Sequence, residues 1–352
     1  MHSPTAQNTL PLIPAAALKQ HRVHEPNDTR FRAAARLLQA LWREAQRLPL
    51  GSVVRRDGSS RRLGSRLSIA AAAAGRNFLT PAIAAWARHQ LAYRQNGALI
   101  DERRLFGNLL TSMSLAVNLF APLALDRQLA ARLLRSLIPD LPLVRIADVI
   151  LEYSPGRLDA DLTADRTAFD VAVIYDRPDG RRGLVAIEVK YSEAMTDNAP
   201  IADATLLIEL ARSSGLFKNP DHGFLRVNPL QQLFREHLLA HAAVARRDFA
   251  SAHFLLVAPA HNHLVQRASG QYAAQLKDAC GGSVPFLSIE LEQMIEAFTW
   301  QGEADYAWAL HDRYLAWDKL HRIVSAALTA QQTKWAPIAP VGPAVRRLER
   351  AA

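Results

Sequence analysis

The chain has 352 residues, with 42 Lys or Arg against 33 Asp or Glu, and a formal charge of +9. With 49% hydrophobic and 21% charged residues it can bury one sizeable core with appendages, which excludes a fibrous or wholly disordered protein. A lone cysteine, Cys280, excludes a disulfide-stapled secreted scaffold and suits a reducing, cytoplasmic setting.

The basic surplus suits a polyanion, because neutralising phosphates releases condensed counterions. Only six of the 42 basic residues are lysine, and an arginine bias of this kind also follows from codon usage, so charge alone assigns no partner. Residues 1–24 read as a loose leader whose apolar patch, Leu10 to Leu18, contains two prolines and lacks a basic region before it. No apolar run approaches the roughly 20 residues needed to cross a bilayer, so no membrane contact is expected.

Apolar residues from Thr29 to Arg47 recur at helical spacing, and Leu48-Pro-Leu-Gly51 ends the pattern. Residues 51–68, rich in Gly and Ser and carrying Arg55, Arg56, Arg61, Arg62 and Arg66, read as a flexible basic loop that either follows a phosphate backbone or is a solvated linker. Helical regions are expected over 70–94, with Thr80-Pro81 starting a new helix, over 98–113 and over 126–137. The texture then changes to short β-branched segments over 143–153, 168–175 and 184–191. Downstream, helices over 202–212, 229–246 and 264–277 alternate with apolar runs at 254–257 and 284–289, followed by one helix over 303–329 and an irregular stretch at 335–343. This order predicts α/β layering, with helices covering a mixed sheet.

The segments around residues 169–175 and 184–191 are joined through Arg177-Pro-Asp-Gly-Arg181, a turn signal, and so form a hairpin. A turn centred near Asp179 and Gly180 sets Asp170 opposite Val189 or Lys190. Glu188 and Lys190 share one face of their strand and Val189 takes the other. Two carboxylates on neighbouring strands, with the Val189 carbonyl, can hold a divalent cation, and the lysine can orient a water or neutralise developing phosphate charge. The structural alternative is a strand-entry cap at Asp170 and a plain Glu188–Lys190 ion pair. Lys190 is the only lysine between Lys19 and Lys218, which favours a need for a compact ammonium.

Glu152-Tyr-Ser-Pro-Gly-Arg157, Thr167-Ala-Phe-Asp-Val171 and Ala186-Ile-Glu-Val-Lys-Tyr-Ser-Glu193 together resemble the motif region of the PD-(D/E)XK nuclease superfamily, particularly bacterial restriction-endonuclease-like proteins. Phe169 stands where the eponymous proline would be. The similarity extends from about Phe78 to about Ala243. It implies a restriction-endonuclease-like mixed sheet flanked by helices, Mg²⁺ (with Mn²⁺ as an alternative) as cofactor, DNA or else RNA as substrate, and Asp170, Glu188 and Lys190 as the catalytic cluster. Pairing into a homodimer is compatible with it.

Members of the superfamily often add a glutamate from the preceding helix. Here Glu102 falls in the stripe of Leu105, Phe106, Leu109 and Met113, so it either approaches Asp170 or pairs with an arginine. A glutamine on the later helix is also common; Gln231 lies at the edge of the apolar stripe and Gln232 further round, and both remain candidates. His237 and His241, and His261 with His263, lack the residues of a zinc motif. The expected organisation is an N-terminal leader, helix and basic loop (1–77), a nuclease-like core (78–300) and a C-terminal helix with tail (301–352). The expected activity is metal-dependent phosphodiester hydrolysis; its rivals are a non-catalytic nucleic-acid- or partner-binding module on the same fold, and a helical interaction protein in which Asp170 and Glu188 do not meet.

Overall fold

The computed structural model describes residues 10–54, 57–196, 203–280 and 282–334; Arg55, Arg56 and the stretch 335–343 lie outside them. Helix α1 (Ala15–Gln20) leads into α2 (Arg30–Ala45), whose N-cap Thr29 accepts from the Arg32 amide. A hairpin of β1 (Leu50–Val54) and β2 (Ser60–Leu67) follows, then α3 (Ile69–Ala73), α4 (Pro81–Ala92), α5 (Glu102–Gly107), α6 (Ser112–Leu125) and α7 (Arg127–Leu137). The central sheet comprises β3 (Arg145–Tyr153), β4 (Phe169–Asp176), β5 (Arg182–Val189), β6 (Ser251–Ala258) and β7 (Phe286–Glu290). Helices α8 (Ala204–Ser214) and α9 (Gln231–Ala245) separate β5 from β6, and α10 (His263–Ala273) separates β6 from β7. The order closes with α11 (Leu291–Trp300), α12 (Ala304–Tyr314) and α13 (Asp318–Lys334).

The five strands lie in chain order; β3, β4 and β5 are antiparallel, and β6 and β7 run parallel to β5. This is the mixed α/β sheet that the alternating segments predict. Side-chain alternation divides the core in two. Val171, Val173, Tyr175, Val185, Ile187 and Val189 face one apolar cluster with α2, α6, α7, α11 and α12. Ala172, Ile174, Leu184, Ala186, Phe254 and Leu256 face the other, with α8, α9 and α10. Burial on both faces explains why β4 and β5 read as continuous apolar runs, and why a charge among them stands out. At the pair Tyr175 and Gly183 the tyrosine ring occupies the space a Cβ would need, so glycine is required there.

Several expectations are corrected. Where a flexible loop is expected, β1 and β2 pair as antiparallel strands: Leu63 and Leu67 are buried, and the Gly64 carbonyl accepts from Arg43 Nε at 2.9 Å. Within 70–94 the new helix does start at Thr80-Pro81, where Thr80 caps α4, while the segment before it is the short α3, followed by Gly75 at φ 73°. The one expected over 98–113 breaks at Asn108, and the tail helix divides into α12 and α13. The leader is not loose throughout, because Leu10, Leu18 and Val23 enter the same cluster as Val171. That cluster also takes in Leu37 of α2 and Leu310 and Leu320 near the C-terminus, so the flanking segments share the core of residues 78–300. Among the described residues no helix is long and apolar enough to cross a membrane.

Candidate active site

The connection between β4 and β5 is five residues, Arg177 to Arg181, closed by the pair Asp176 and Arg182. Paired residue numbers therefore sum to 358, one or two less than the turn reading gives. Carried one step past Val171 and Ile187, the register sets Asp170 beside Glu188, not opposite Val189 or Lys190. The strand twist still brings Asp170 to the expected segment, since its Oδ2 accepts from the Val189 amide at 2.9 Å.

Glu188 is the penultimate residue of β5 and Lys190 follows its end; both side chains are buried and face α9, while Val189 packs into the opposite core. The Lys190 amide continues the parallel ladder by donating to the Val257 carbonyl at 2.8 Å, which fixes its backbone. Its Nζ lies 2.5 Å from Glu188 Oε1 and donates to Gln232 Oε1 at 2.8 Å. Gln232, in the first turn of α9, also donates through Nε2 to Glu188 Oε1 at 2.7 Å and to Glu236 Oε1 at 2.8 Å. Of the two glutamine candidates, Gln232 thus joins the cluster. Gln231 is buried beside it without a hydrogen bond to Asp170, Glu188 or Lys190 among the described residues.

Glu102 is not brought to this cluster. The stripe that suggested it assumed one helix through Met113, but α5 ends at Gly107, leaving Glu102 exposed in its first turn and lining a cleft with the β1–β2 hairpin. Two acids not singled out by sequence stand nearer. Glu236 lies one helical turn after Gln232 and so on the same face, a spacing legible once Gln232 is chosen. Glu152, near the end of β3, takes φ 50°, unusual for a residue with a Cβ, and its carboxylate lies 3.4 Å from an Arg157 guanidinium nitrogen. Its presence in the motif region was visible, but its left-handed backbone was not.

Burial pushes the Asp170 carboxyl well above the usual carboxylate range; the Glu188 charge adds to this, against the pull of Lys190. Glu236 is raised for the same two reasons, burial first and Glu188 second. Burial pulls Lys190 down, but Glu188, Asp170, Glu193 and Glu236 outweigh it, so the ammonium is held charged. Glu236 Oε2 is buried without a hydrogen-bond partner among the described residues. Clustered acids with an orphaned oxygen are short of positive charge.

Among the described residues no set of three or more His, Cys, Asp or Glu is grouped so as to hold a metal ion. The donors on offer at the β4 and β5 ends are two carboxylates, Asp170 and Glu188, without thiol or imidazole. Hard oxygen donors in that small number fit Mg²⁺, which commonly keeps several waters and binds through one or two carboxylates plus phosphate.

A half-buried Asp with a buried Glu and Lys at adjoining strand ends of a mixed sheet, covered by a glutamine-bearing helix, define a nuclease-like α/β protein. The chain belongs to the PD-(D/E)XK nuclease superfamily, whose family model matches residues 26–316, most of its length. No curated protein and no solved structure gives a significant match.

The histidines serve elsewhere. His237 is wholly buried, with Nδ1 2.9 Å from Tyr272 Oη and Nε2 2.8 Å from the Val284 carbonyl, and burial lowers its pKa to about 4. His241 lies 3.3 Å from Ser283 Oγ, and the rings of His261 and His263 are 6.4 Å apart. A folded pKa below the unfolded value gives stability that is complete above about pH 6.5 and lost as pH falls towards about 4. Acidification across that window is expected to remove about 3 kcal/mol through His237. Chemical denaturation at several pH values should show that slope and its loss in His237→Gln; an unchanged slope would exonerate the histidine.

Proposed function

We propose that this protein is a divalent-metal-dependent nuclease that hydrolyses phosphodiester bonds in nucleic acid, DNA in preference to RNA. The observation that carries the reading is the hydrogen-bonded cluster of Glu188, Lys190 and Gln232, with Asp170 held to the Val189 amide beside it.

In this reading Asp170, Glu188 and the Val189 carbonyl would hold Mg²⁺, or Mn²⁺ in its place, which would supply a water of lowered pKa and offset phosphate charge. Lys190 Nζ orients the attacking water and faces the negative charge that builds on the phosphoryl oxygens. Gln232 fixes the lysine and Glu188 relative to one another by bonding both. The buried strand ends exclude bulk water, so these charges act with little screening. Glu102 has no part in this chemistry, and Gln231 serves packing.

The exposed free Cys280 and the lack of a membrane-spanning helix among the described residues fit a cytoplasmic setting. One site per chain cuts one strand at a time, and a homodimer would present two. Roles in restriction, repair or defence against mobile elements all use this chemistry.

The test is degradation of circular and linear DNA, and of RNA, with Mg²⁺, Mn²⁺ or EDTA, by the wild type and by Asp170→Ala. Cleavage is expected with metal only, falling by at least about 100-fold in the variant. A well-folded wild type that binds DNA as Asp170→Ala does, yet cuts no nucleic acid, would mark a non-catalytic binding module on a nuclease fold.

A further inference from the structure

A cleft of about 1220 Å³ lies between the β1–β2 hairpin, α3 and α5, lined in part by Ser52, Val54, Arg66, Ile69, Arg88 and Arg103. It is larger than the roughly 300–1,000 Å³ of a small-ligand pocket. A relay of contacts runs from α5, at the edge of the cleft, to the residues that follow Lys190. Three residues past Lys190, Glu193 accepts the amides of Tyr191 and Ser192 through Oε2 at 3.0 and 2.9 Å. Its Oε1 accepts the Ser112 amide at 3.1 Å and lies 3.6 Å from Arg104. Arg104 belongs to α5, whose C-cap Asn108 forms a β-bridge with Arg66 of β2.

Three arginines therefore gather where the hairpin meets α5, and they differ in what neutralises them. Arg36 is paired with Asp28 at 2.6 Å and Arg104 faces Glu193. Arg66, half-buried, forms no side-chain hydrogen bond or ion pair among the described residues. Asp101 and Glu102 also line the cleft, but Asp101 Oδ1 already accepts the Arg104 amide at 3.0 Å. Burial first, then the neighbouring Arg36 and Arg104, lower the Arg66 pKa against an opposing pull from Asp101, so the guanidinium stands beside two other cations. At the rim Val54 and Ile69 are 71% and 89% exposed, which leaves apolar surface for sugars and bases.

We propose that this cleft seats a segment of the nucleic-acid strand flanking the phosphodiester that is cut, with Arg66 contacting one of its phosphates. The proposal rests on the nuclease reading above and adds where the substrate runs. An opposite role follows for Glu102: a carboxylate in the path of a polyanion repels it.

Binding of a short labelled DNA duplex in EDTA, where no cleavage occurs, separates the two ideas. Arg66→Gln is expected to weaken binding about three- to tenfold near 0.1 M salt and to flatten the dependence of log K on log salt by about 1. Arg66→Lys should keep the slope, and Glu102→Gln, an exposed change that should not disturb folding, should tighten binding about twofold. Wild-type affinity and slope in Arg66→Gln, or no tightening in Glu102→Gln, would overturn the cleft assignment and leave the nuclease reading intact. A wild type that binds and cuts no nucleic acid would overturn both.

Discussion

Lys190→Ala is expected to slow metal-dependent DNA cleavage by about 100- to 1000-fold in single-turnover assays, with kcat falling more than KM rises. Lys190 is 8% exposed and its ammonium is wedged between Glu188 Oε1 at 2.5 Å and Gln232 Oε1 at 2.8 Å, so it stands as a fixed positive charge rather than a mobile surface group. Surrounding carboxylates hold it protonated against the pull of burial, so its loss removes a full charge near the reacting phosphate. Lys190→Arg should be nearly as slow. A planar guanidinium fork needs more room than one ammonium, and Gln232 and Glu188 already fill the space on either side. Removing the lysine also leaves Glu188 buried and unpaired, costing about 2–4 kcal/mol, so a thermal melt must accompany the kinetics. Cleavage by Lys190→Ala within threefold of wild type would reduce the lysine to a partner of Glu188 and remove it from the chemistry.

The sheet was legible because its central strands are buried on both faces and bounded by turn residues: Phe169–Asp176, Arg177-Pro-Asp-Gly and Arg182–Val189 could hardly be read otherwise. The same clarity exposed Glu188 and Lys190, since alternation puts them on one face of an apolar strand. What failed had physical causes of its own. The register was one or two residues off because the turn centres on Asp179, and a five-residue connection cannot be told from its neighbours by composition. Glu102 was misplaced because helical-wheel reasoning assumes an unbroken helix, whereas Asn108 leaves helical geometry at φ −104° and ψ 108°. The β1–β2 hairpin was hidden by its Gly, Ser and Arg content, which is poor strand material. It is held by contacts remote in sequence, such as Arg36 Nη1 donating to Ser65 Oγ at 3.2 Å. Glu236 carried no signal until Gln232 had been placed, because only their shared neighbour Glu188 makes the pair notable.

The way the segment from residue 301 packs onto the core is clearest at Arg313. This side chain is fully buried at the α12 end, with no carboxylate partner among the described residues. Its Nη1 and Nη2 donate to the Asn77 carbonyl and Oδ1 at 2.6 and 2.5 Å, and its Nε donates to Gln39 Oε1 at 3.2 Å. The guanidinium carbon stacks 4.1 Å from the Trp42 ring centroid and 4.8 Å from that of Tyr314. Gln39 in turn donates to Tyr191 Oη at 3.1 Å, and Tyr191 is the residue after Lys190. The arginine thus braces α2, α12 and the end of β5 together, which ties a helix beyond residue 300 to the strand that carries the site. Arg313→Met keeps much of the volume but strands two acceptors, Asn77 Oδ1 and Gln39 Oε1, each costing about 1–3 kcal/mol, while the Asn77 carbonyl keeps its bond from Asn118 Nδ2, and it removes a desolvated cation–π contact of about 2 kcal/mol. Relief from burying a charge, already visible in the lowered Arg313 pKa, offsets part of this. The net expectation is a loss of about 2–4 kcal/mol in denaturant unfolding, with Arg313→Lys losing less because it retains the charge over Trp42. Equal or greater stability in Arg313→Met would mean that hydrophobic packing serves here as well as the arginine, as happens with some buried charge networks. The bracing of Lys190 through Tyr191 would then have to come from Gln39 alone.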